Sequence, residues 1–205
     1  MRTPLDQILL PIRTGYPFRS RIEESLDGNC RLIQARDIQD EKSHVGLNPE
    51  LLLKVDVPSP VEKYKVINGD VVLMAKGQRN VATLIQGLHE SGTSPTIVTN
   101  SFYILRAKAD RVLPSFLAWS INQPGGQAFL SKIATGSSLK FISSKDLRGM
   151  EIDLPSLQTQ EKIVSLQNLL ADQRQILRQL EDKYFELISL ACRKAASDER
   201  GEKQN

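Results

Sequence analysis

The sequence predicts an α+β chain: a mixed, β-rich globular part followed by one long C-terminal coiled-coil-type α-helix. Three observations carry that expectation. Up to about Leu154, short runs of β-branched residues alternate with turn formers. Residues 157–197 contain neither glycine nor proline. Over the same stretch apolar residues return at heptad spacing. The 205 residues are 40% hydrophobic and 25% charged, an ordinary globular balance that excludes disorder or collagen-like order throughout.

Taken in order, residues 31–35 read as a strand. Residues 64–67 and 71–75 flank Asn68-Gly69-Asp70, a hairpin-type turn in which Asn and Gly tolerate positive φ. Residues 81–85, 96–98 and 101–107 continue the strand pattern. A helix is expected over 114–122, because Pro114 suits a first turn and Phe116, Leu117, Trp119 and Ile121 supply apolar surface. Pro124 opens a second short helix carrying Ala128, Phe129 and Ile133. Gly136-Ser137-Ser138 is a loop, and 150–154 a last strand ended by Pro155.

Ser156 is a fitting N-cap for the long helix. The a and d positions are Ile163, Leu166, Leu170, Gln173, Leu177, Leu180, Tyr184, Leu187 and Ala191, interrupted only by Gln173. About 40 residues make a rod of roughly 60 Å, longer than a domain of this size is wide. Leu169, Ile176, Phe185 and Ile188 widen the seam, which points to more than one neighbour. The expected division is therefore a globular domain over 1–155, a helix over 156–197 and a charged, frayed tail over 198–205.

The net charge of +3 is unevenly spread. Residues 76–148 hold nine basic and three acidic side chains, net +6, which fits a polyanionic partner or a solvated basic face. Two cysteines, Cys30 and Cys192, and two histidines, His44 and His89, form no zinc spacing, so no metal or other cofactor is expected. No phosphate-cradling Gly-x-x-x-x-Gly-Lys-Ser/Thr string is present. The apolar run over 8–12 is short and broken by Pro11, and no span long enough for a membrane occurs. A cytoplasmic protein is the expectation.

Several strings, in order, carry a family resemblance. They are Gly15-Tyr16-Pro17-Phe18-Arg19-Ser20, Ile33-Gln34-Ala35-Arg36-Asp37-Ile38, Asn68-Gly69-Asp70-Val71-Val72 and Lys76-Gly77-Gln78-Arg79-Asn80. Leu117-Ala118-Trp119 with Asn122 and Gly125, then Gly136-Ser137-Ser138-Leu139-Lys140 with Ile142 and Asp146-Leu147, follow. Leu154-Pro155-Ser156-Leu157 with Gln160-Glu161-Lys162-Ile163-Val164 opens the helix. Together they resemble one half of the specificity (S) subunit of type I restriction–modification systems: one target recognition domain and one spacer helix. The resemblance implies a non-catalytic subunit that binds double-stranded DNA. Methyl transfer and nucleotide hydrolysis would belong to partners, the modification (methyltransferase) subunit and the restriction/translocase subunit. Full-length S subunits carry two such domains and this sequence has one, so it is either a natural half-length subunit or a fragment, and as it stands a bipartite site implies that two copies associate.

The residues then divide into candidate contacts. In the 76–80 loop Arg79 can fork onto guanine, Gln78 and Asn80 can pair with adenine, and Lys76 can meet a phosphate. Ser137, Ser138 and Lys140 offer a phosphate clamp, unless the loop simply packs Leu139 inward. Arg13, Arg19 and Arg21 surround Tyr16 and Phe18, which are either a DNA-contacting wedge or core. The seam residues Ile163, Leu166, Leu170, Leu177, Leu180, Tyr184 and Leu187 form the dimer or partner interface. The helix pairs with a second copy, with a methyltransferase subunit, or with both. The rival from another class is a coiled-coil interaction module whose globular part binds protein.

Overall fold

The structure, a computed structural model, describes residues 2–38, 49–58, 60–77, 79–88, 94–136 and 139–202. It divides into two compact units, Met1–Val164 and Ser165–Asn205. The first contains β1 (Arg2–Pro4), α1 (Leu5–Ile8), β2 (Arg13–Thr14), β3 (Cys30–Ile33), α2 (Ala35–Ile38), β4 (Leu53–Val55), β5 (Asp70–Met74), β6 (Ala82–Leu84), β7 (Thr96–Val98) and β8 (Phe102–Arg106). There follow α3 (Pro114–Asn122), α4 (Pro124–Ile133), α5 (Ser144–Arg148), β9 (Glu151–Asp153) and the first turns of α6 (Leu157–Glu202).

Among the described residues the strands form three small sheets: β1-β9, β2-β8-β5-β6 and β4-β3-β7. Side chains alternate along β5 and β8, and both faces are buried. Val71, Leu73, Tyr103 and Leu105 point to a core built with α1, α3, α5 and β9. Val72, Met74, Phe102 and Ile104 point the other way, to Ile33 and Val98 of the three-stranded sheet. The opposite face of that sheet, Cys30, Leu32, Val55 and Ile97, is covered by Tyr16, Phe18, Ile22 and Tyr64. This layering explains why 70–74 and 102–106 read as near-continuous apolar runs rather than alternating ones.

The four-stranded sheet is held by a buried charge cluster at the Asp70 end of β5. The Asp70 carboxylate is 0% exposed. Its oxygens receive Arg106 Nε at 2.6 Å and Nη2 at 2.8 Å, in the two-pronged geometry that suits guanidinium. The Ile67 N–H donates to Oδ2 at 3.0 Å, and Arg13 Nη2 lies 3.6 Å from the same oxygen. Arg13, Asp70 and Arg106 belong to β2, β5 and β8, so one cluster ties three strands together. Hydrogen bonding to Asp70 raises the Arg106 pKa against the effect of burial. Burial, with Arg106 nearby, lowers that of Arg13 while Asp70 opposes the shift.

Two expected features differ from the structure. Residues 64–67 are not a strand: Glu62–Tyr64 is a turn of 3-10 helix, and Lys65 makes only an isolated bridge to Ile97. The Asn68-Gly69 turn exists, with Gly69 at φ 89°, but it does not close a hairpin. Asp70 draws the Ile67 N–H onto its side chain, and β5 pairs instead with β6 and β8. The strand expected over 31–35 ends at Ile33, because α2 begins at Ala35 with the Asp37 carboxylate accepting the Gln34 N–H at 2.7 Å.

The remaining elements follow their signals. Pro114 and Pro124 start α3 and α4, and Ser156 Oγ accepts from the Thr159 N–H at 3.3 Å at the start of α6. Gln160 is fully buried. Its amide accepts from the Leu113 N–H and donates to the Arg111 and Pro155 carbonyls, while Ile163 and Val164 pack against the first core. The helix runs to Glu202, past its expected end near 197, since Ala195 and Ala196 favour continuation and no proline intervenes. In the second unit Leu166, Leu170, Leu177, Leu180, Tyr184 and Leu187 are all exposed. No described helix is long and apolar enough to cross a membrane.

Replacing Asp70 by Asn leaves Arg106 and Arg13 without their counter-charge and is expected to cost about 3 kcal/mol. In urea unfolding the midpoint drops while the slope is unchanged. The thiols should also separate. Cys30 is buried and its pKa is raised by burial, then by Asp56 and Glu62, whereas Cys192 is exposed. A thiol reagent at neutral pH is expected to modify one cysteine in the native protein and the second only after denaturation.

Candidate nucleic-acid interface

Two loops nominated separately in the sequence are joined in the structure. The chain leaving β5 pairs with the chain approaching α5: the Gly77 N–H donates to the Lys140 carbonyl at 3.1 Å, and the Ile142 N–H to the Ala75 carbonyl at 3.0 Å. Lys76 and Phe141 face each other as an antiparallel bridge. The Lys76 ammonium lies 5.9 Å from the centre of the Phe141 ring, at the outer limit of a cation–π contact. Lys76 and Lys140 thus sit on one paired segment, and Arg79 follows in sequence; Arg79 and Lys140 are exposed.

The Lys140 loop is built to stay in place. Thr135 and Phe141 exchange both backbone hydrogen bonds, at 2.9 and 2.8 Å. Next to Thr135, Gly136 takes φ 106°, where a Cβ would lie 2.5 Å from the Leu139 carbonyl oxygen. From beneath, the Tyr103 hydroxyl donates to the Ile142 carbonyl at 2.8 Å, and burial raises the pKa of that phenol. Beyond it, Ser143 caps α5: the Asp146 N–H donates to Ser143 Oγ at 3.1 Å and the Ser143 hydroxyl to Asp146 at 2.7 Å. Lys145 and Arg148 on this short helix are exposed and extend the basic surface.

The structure distributes the other candidates differently. Asn80 is buried, 7% exposed, and its amide donates to the Met74 carbonyl at 2.8 Å, where it shapes the loop. Arg13 is turned to Asp70 and donates to the Lys63 carbonyl at 3.3 Å. Tyr16 is half-buried, in edge contact with Phe18 at 4.8 Å and Tyr64 at 5.0 Å, which is the core alternative for these aromatics. Arg19 and Arg21 are exposed. Gln78, Ser137 and Ser138 lie outside the described residues. Leu139 is 60% exposed, so the loop does not pack it inward.

One turn connects the two regions. The Ser101 carbonyl accepts from the Ala75 and Lys76 N–H groups at 2.8 and 3.2 Å, and the Asn100 N–H donates to the Tyr16 carbonyl at 2.9 Å. Tyr16 reaches this turn because Gly15 precedes it. A Cβ there would stand 2.2 Å from the Thr99 carbonyl oxygen. The +6 of residues 76–148 is reduced at the surface, because Arg106 is spent on Asp70 outside that block. Sequence reasoning does not single out Phe141, Lys145 and Arg148, which the structure leaves exposed. The Ser143-x-x-Asp146 cap spacing was the available signal for a helix that turns the last two outward. Among the described residues no group of three or more His, Cys, Asp or Glu side chains could hold a metal ion.

The fold of the chain is similar to part of the fold of solved type I restriction–modification specificity subunits. The chain is similar to the type I restriction–modification S subunit from M. genitalium, with a TM-score of 0.55 and 14% identity over 90% of this chain and 44% of that one. It is similar to the HsdS subunit from Thermoanaerobacter tengcongensis, with a TM-score of 0.57 and 16% identity over 87% and 39%. A third solved chain, from work on complex assembly and conformational transition of the type I R-M system, gives 0.57 and 16% over 89% and 41%. The chain therefore spans about two fifths of the length of the solved chains it matches. No family model matches it, and neither does any curated protein sequence.

Tyr103→Phe removes one anchor of the Lys140 loop. Its expected cost is about 1–2 kcal/mol. Amide exchange at Phe141 and Ile142 should accelerate more than exchange in β3 and β7, which the phenol does not touch.

Proposed function

We propose that the chain is a sequence-specific DNA-binding specificity subunit of a type I restriction–modification system. It directs a methyltransferase/endonuclease complex to a bipartite site and acts as a homodimer through its long helix. The observation that carries this reading is the pairing of residues 75–77 with 140–142, which brings Lys76 and Lys140 onto one basic surface, on a fold similar to that of solved S subunits. Lys76, Arg79 and Lys140 are assigned to DNA, with Lys145 and Arg148 beside them as phosphate contacts. Arg19 and Arg21 remain candidates for the flank, and Gln78, Ser137 and Ser138 complete the set taken from the sequence.

On this reading the chain carries recognition alone. Methyl transfer is supplied by a modification subunit docked on α6, and cleavage by a restriction/translocase subunit. A two-fold dimer holds two copies of the basic surface related by the axis, and so reads an inverted repeat with an unread gap. The seam residues Leu166, Leu170, Leu177, Leu180, Tyr184 and Leu187 supply the dimer contact.

A second reading, in which the globular unit binds protein, draws on the exposed Leu139 and Phe141 in the same patch. Salt separates the two. With a mixed-sequence duplex, the DNA reading predicts a steep linear fall of log affinity with log salt, and each of Lys76→Ala, Arg79→Ala and Lys140→Ala lowers the slope by about 1. Selection from a random duplex library should return an interrupted inverted repeat. No salt-dependent binding and no enriched motif would remove the proposal in favour of the protein-binding module.

A further inference from the structure

The chain between β5 and β6 carries Arg79 out to the surface. The departing end of this loop is fixed by backbone bonds to Ser101 and Lys140. The returning end is fixed largely by side-chain amides. The Asn80 amide donates to the Met74 carbonyl across the loop, and the Met74 N–H donates to the Val81 carbonyl at 3.0 Å. Asn122, at the end of α3, takes both backbone groups of Ala82. Gln127, on α4, donates from Nε2 to the Asn80 carbonyl at 3.0 Å and to the Ile121 carbonyl at 3.0 Å. A carboxamide nitrogen has two N–H groups, and Gln127 has one for each carbonyl.

That pair of bonds ties the residue after Arg79 to the junction of α3 and α4. The junction is tight: at Gly126 a Cβ would stand 2.4 Å from the Ile121 carbonyl oxygen. Ile121 is fully buried in the first core, so its carbonyl is a firm anchor. An arginine that forks onto guanine must bring two N–H groups to two acceptors at once, and a displacement of about 1 Å loses that geometry. A contact with phosphate carries no sequence information and tolerates the same displacement. Slackening the loop behind Arg79 therefore costs base discrimination before it costs overall affinity.

We propose that Gln127 is a positioning residue for base readout: it holds the main chain at Asn80 so that Arg79 meets a guanine edge with both prongs. The inference rests on the DNA reading above and adds which side chain reads a base and what keeps it aimed.

The test uses the full chain and the duplex selected from the random library. Affinity is measured for that duplex, for versions with one base pair changed at a time, and for a mixed-sequence duplex. Arg79→Ala is expected to relax discrimination at a guanine-containing pair by about tenfold. Gln127→Met keeps the length of the side chain, adds no charge and removes both N–H groups. It should relax discrimination at the same pair by about tenfold, while affinity for the mixed-sequence duplex and its salt slope stay at the wild-type values. Added to Arg79→Ala, it should cause no further loss at that pair. Gln127→Asn keeps the donors on a shorter stem; this milder second variant should relax the same pair less. Gln123→Met is the control. Gln123 Nε2 donates to the Trp119 carbonyl at 3.2 Å, at the same junction, so its loss should leave discrimination intact.

A Gln127→Met variant that binds every duplex more weakly by one common factor, or that relaxes pairs other than the one relaxed by Arg79→Ala, overturns the positioning role and leaves the DNA reading standing. A Gln123→Met variant that relaxes the same pair equally does so too. A wild-type chain without sequence preference removes both.

Discussion

A carboxylate with no access to solvent must be neutralised, and most of the first unit is arranged so that Asp70 is. Its two oxygens take both prongs of Arg106, the Ile67 N–H and the approach of Arg13. Because the three charged residues come from β2, β5 and β8, the requirement fixes the order of those strands and their alignment. Exchanging the cluster for apolar residues of similar volume would not by itself be unfavourable, since buried ion pairs contribute little net stability. What the charges add is selectivity of pairing: a strand shifted by one residue would leave Asp70 buried against hydrocarbon.

With the sheet fixed, the position of the basic surface follows. Met74 pairs with Phe102 at one end of the β5–β8 ladder, and Asp70 pairs with Arg106 at the other. The segments leaving β5 and entering β8 therefore emerge side by side, where Ser101 collects the N–H groups of Ala75 and Lys76. The 135–142 segment is then bound to that edge by backbone bonds and by the Tyr103 hydroxyl. Lys76, Arg79 and Lys140 owe their exposure to neighbours that are buried, Asn80 among them. A surface held in this way has less ordering left to do when it meets a partner.

The periodic elements were legible and the interior polar ones were not. The limits of α3 and α4 followed from Pro114 and Pro124 and from apolar spacing. The long helix followed from heptads, with its end misjudged because alanines near 195 carry no stop signal. Residues 64–67 read as a strand on β-branched content, but a side-chain acceptor three residues ahead captured the Ile67 N–H. Arg13 reads as a contact because it is one of three arginines around Tyr16 and Phe18, and Asn80 because asparagine suits an adenine edge. Nothing local reveals that a carboxylate 57 positions away, or a carbonyl in the same loop, claims them first. The union of the 76–80 and 135–142 loops was equally invisible, since it depends on pairing across more than sixty residues of chain.

Asn122 illustrates how such a polar residue can serve in place of a strand. Its side-chain amide accepts the Ala82 N–H at 2.9 Å and donates to the Ala82 carbonyl at 2.7 Å, on the outer edge of β6. Those are the two groups that an unrelated extended peptide would use first to join the sheet. With both occupied from within, Ala82 offers neither group to an added strand. The molecule thereby guards itself against edge-to-edge aggregation at the cost of a single carboxamide.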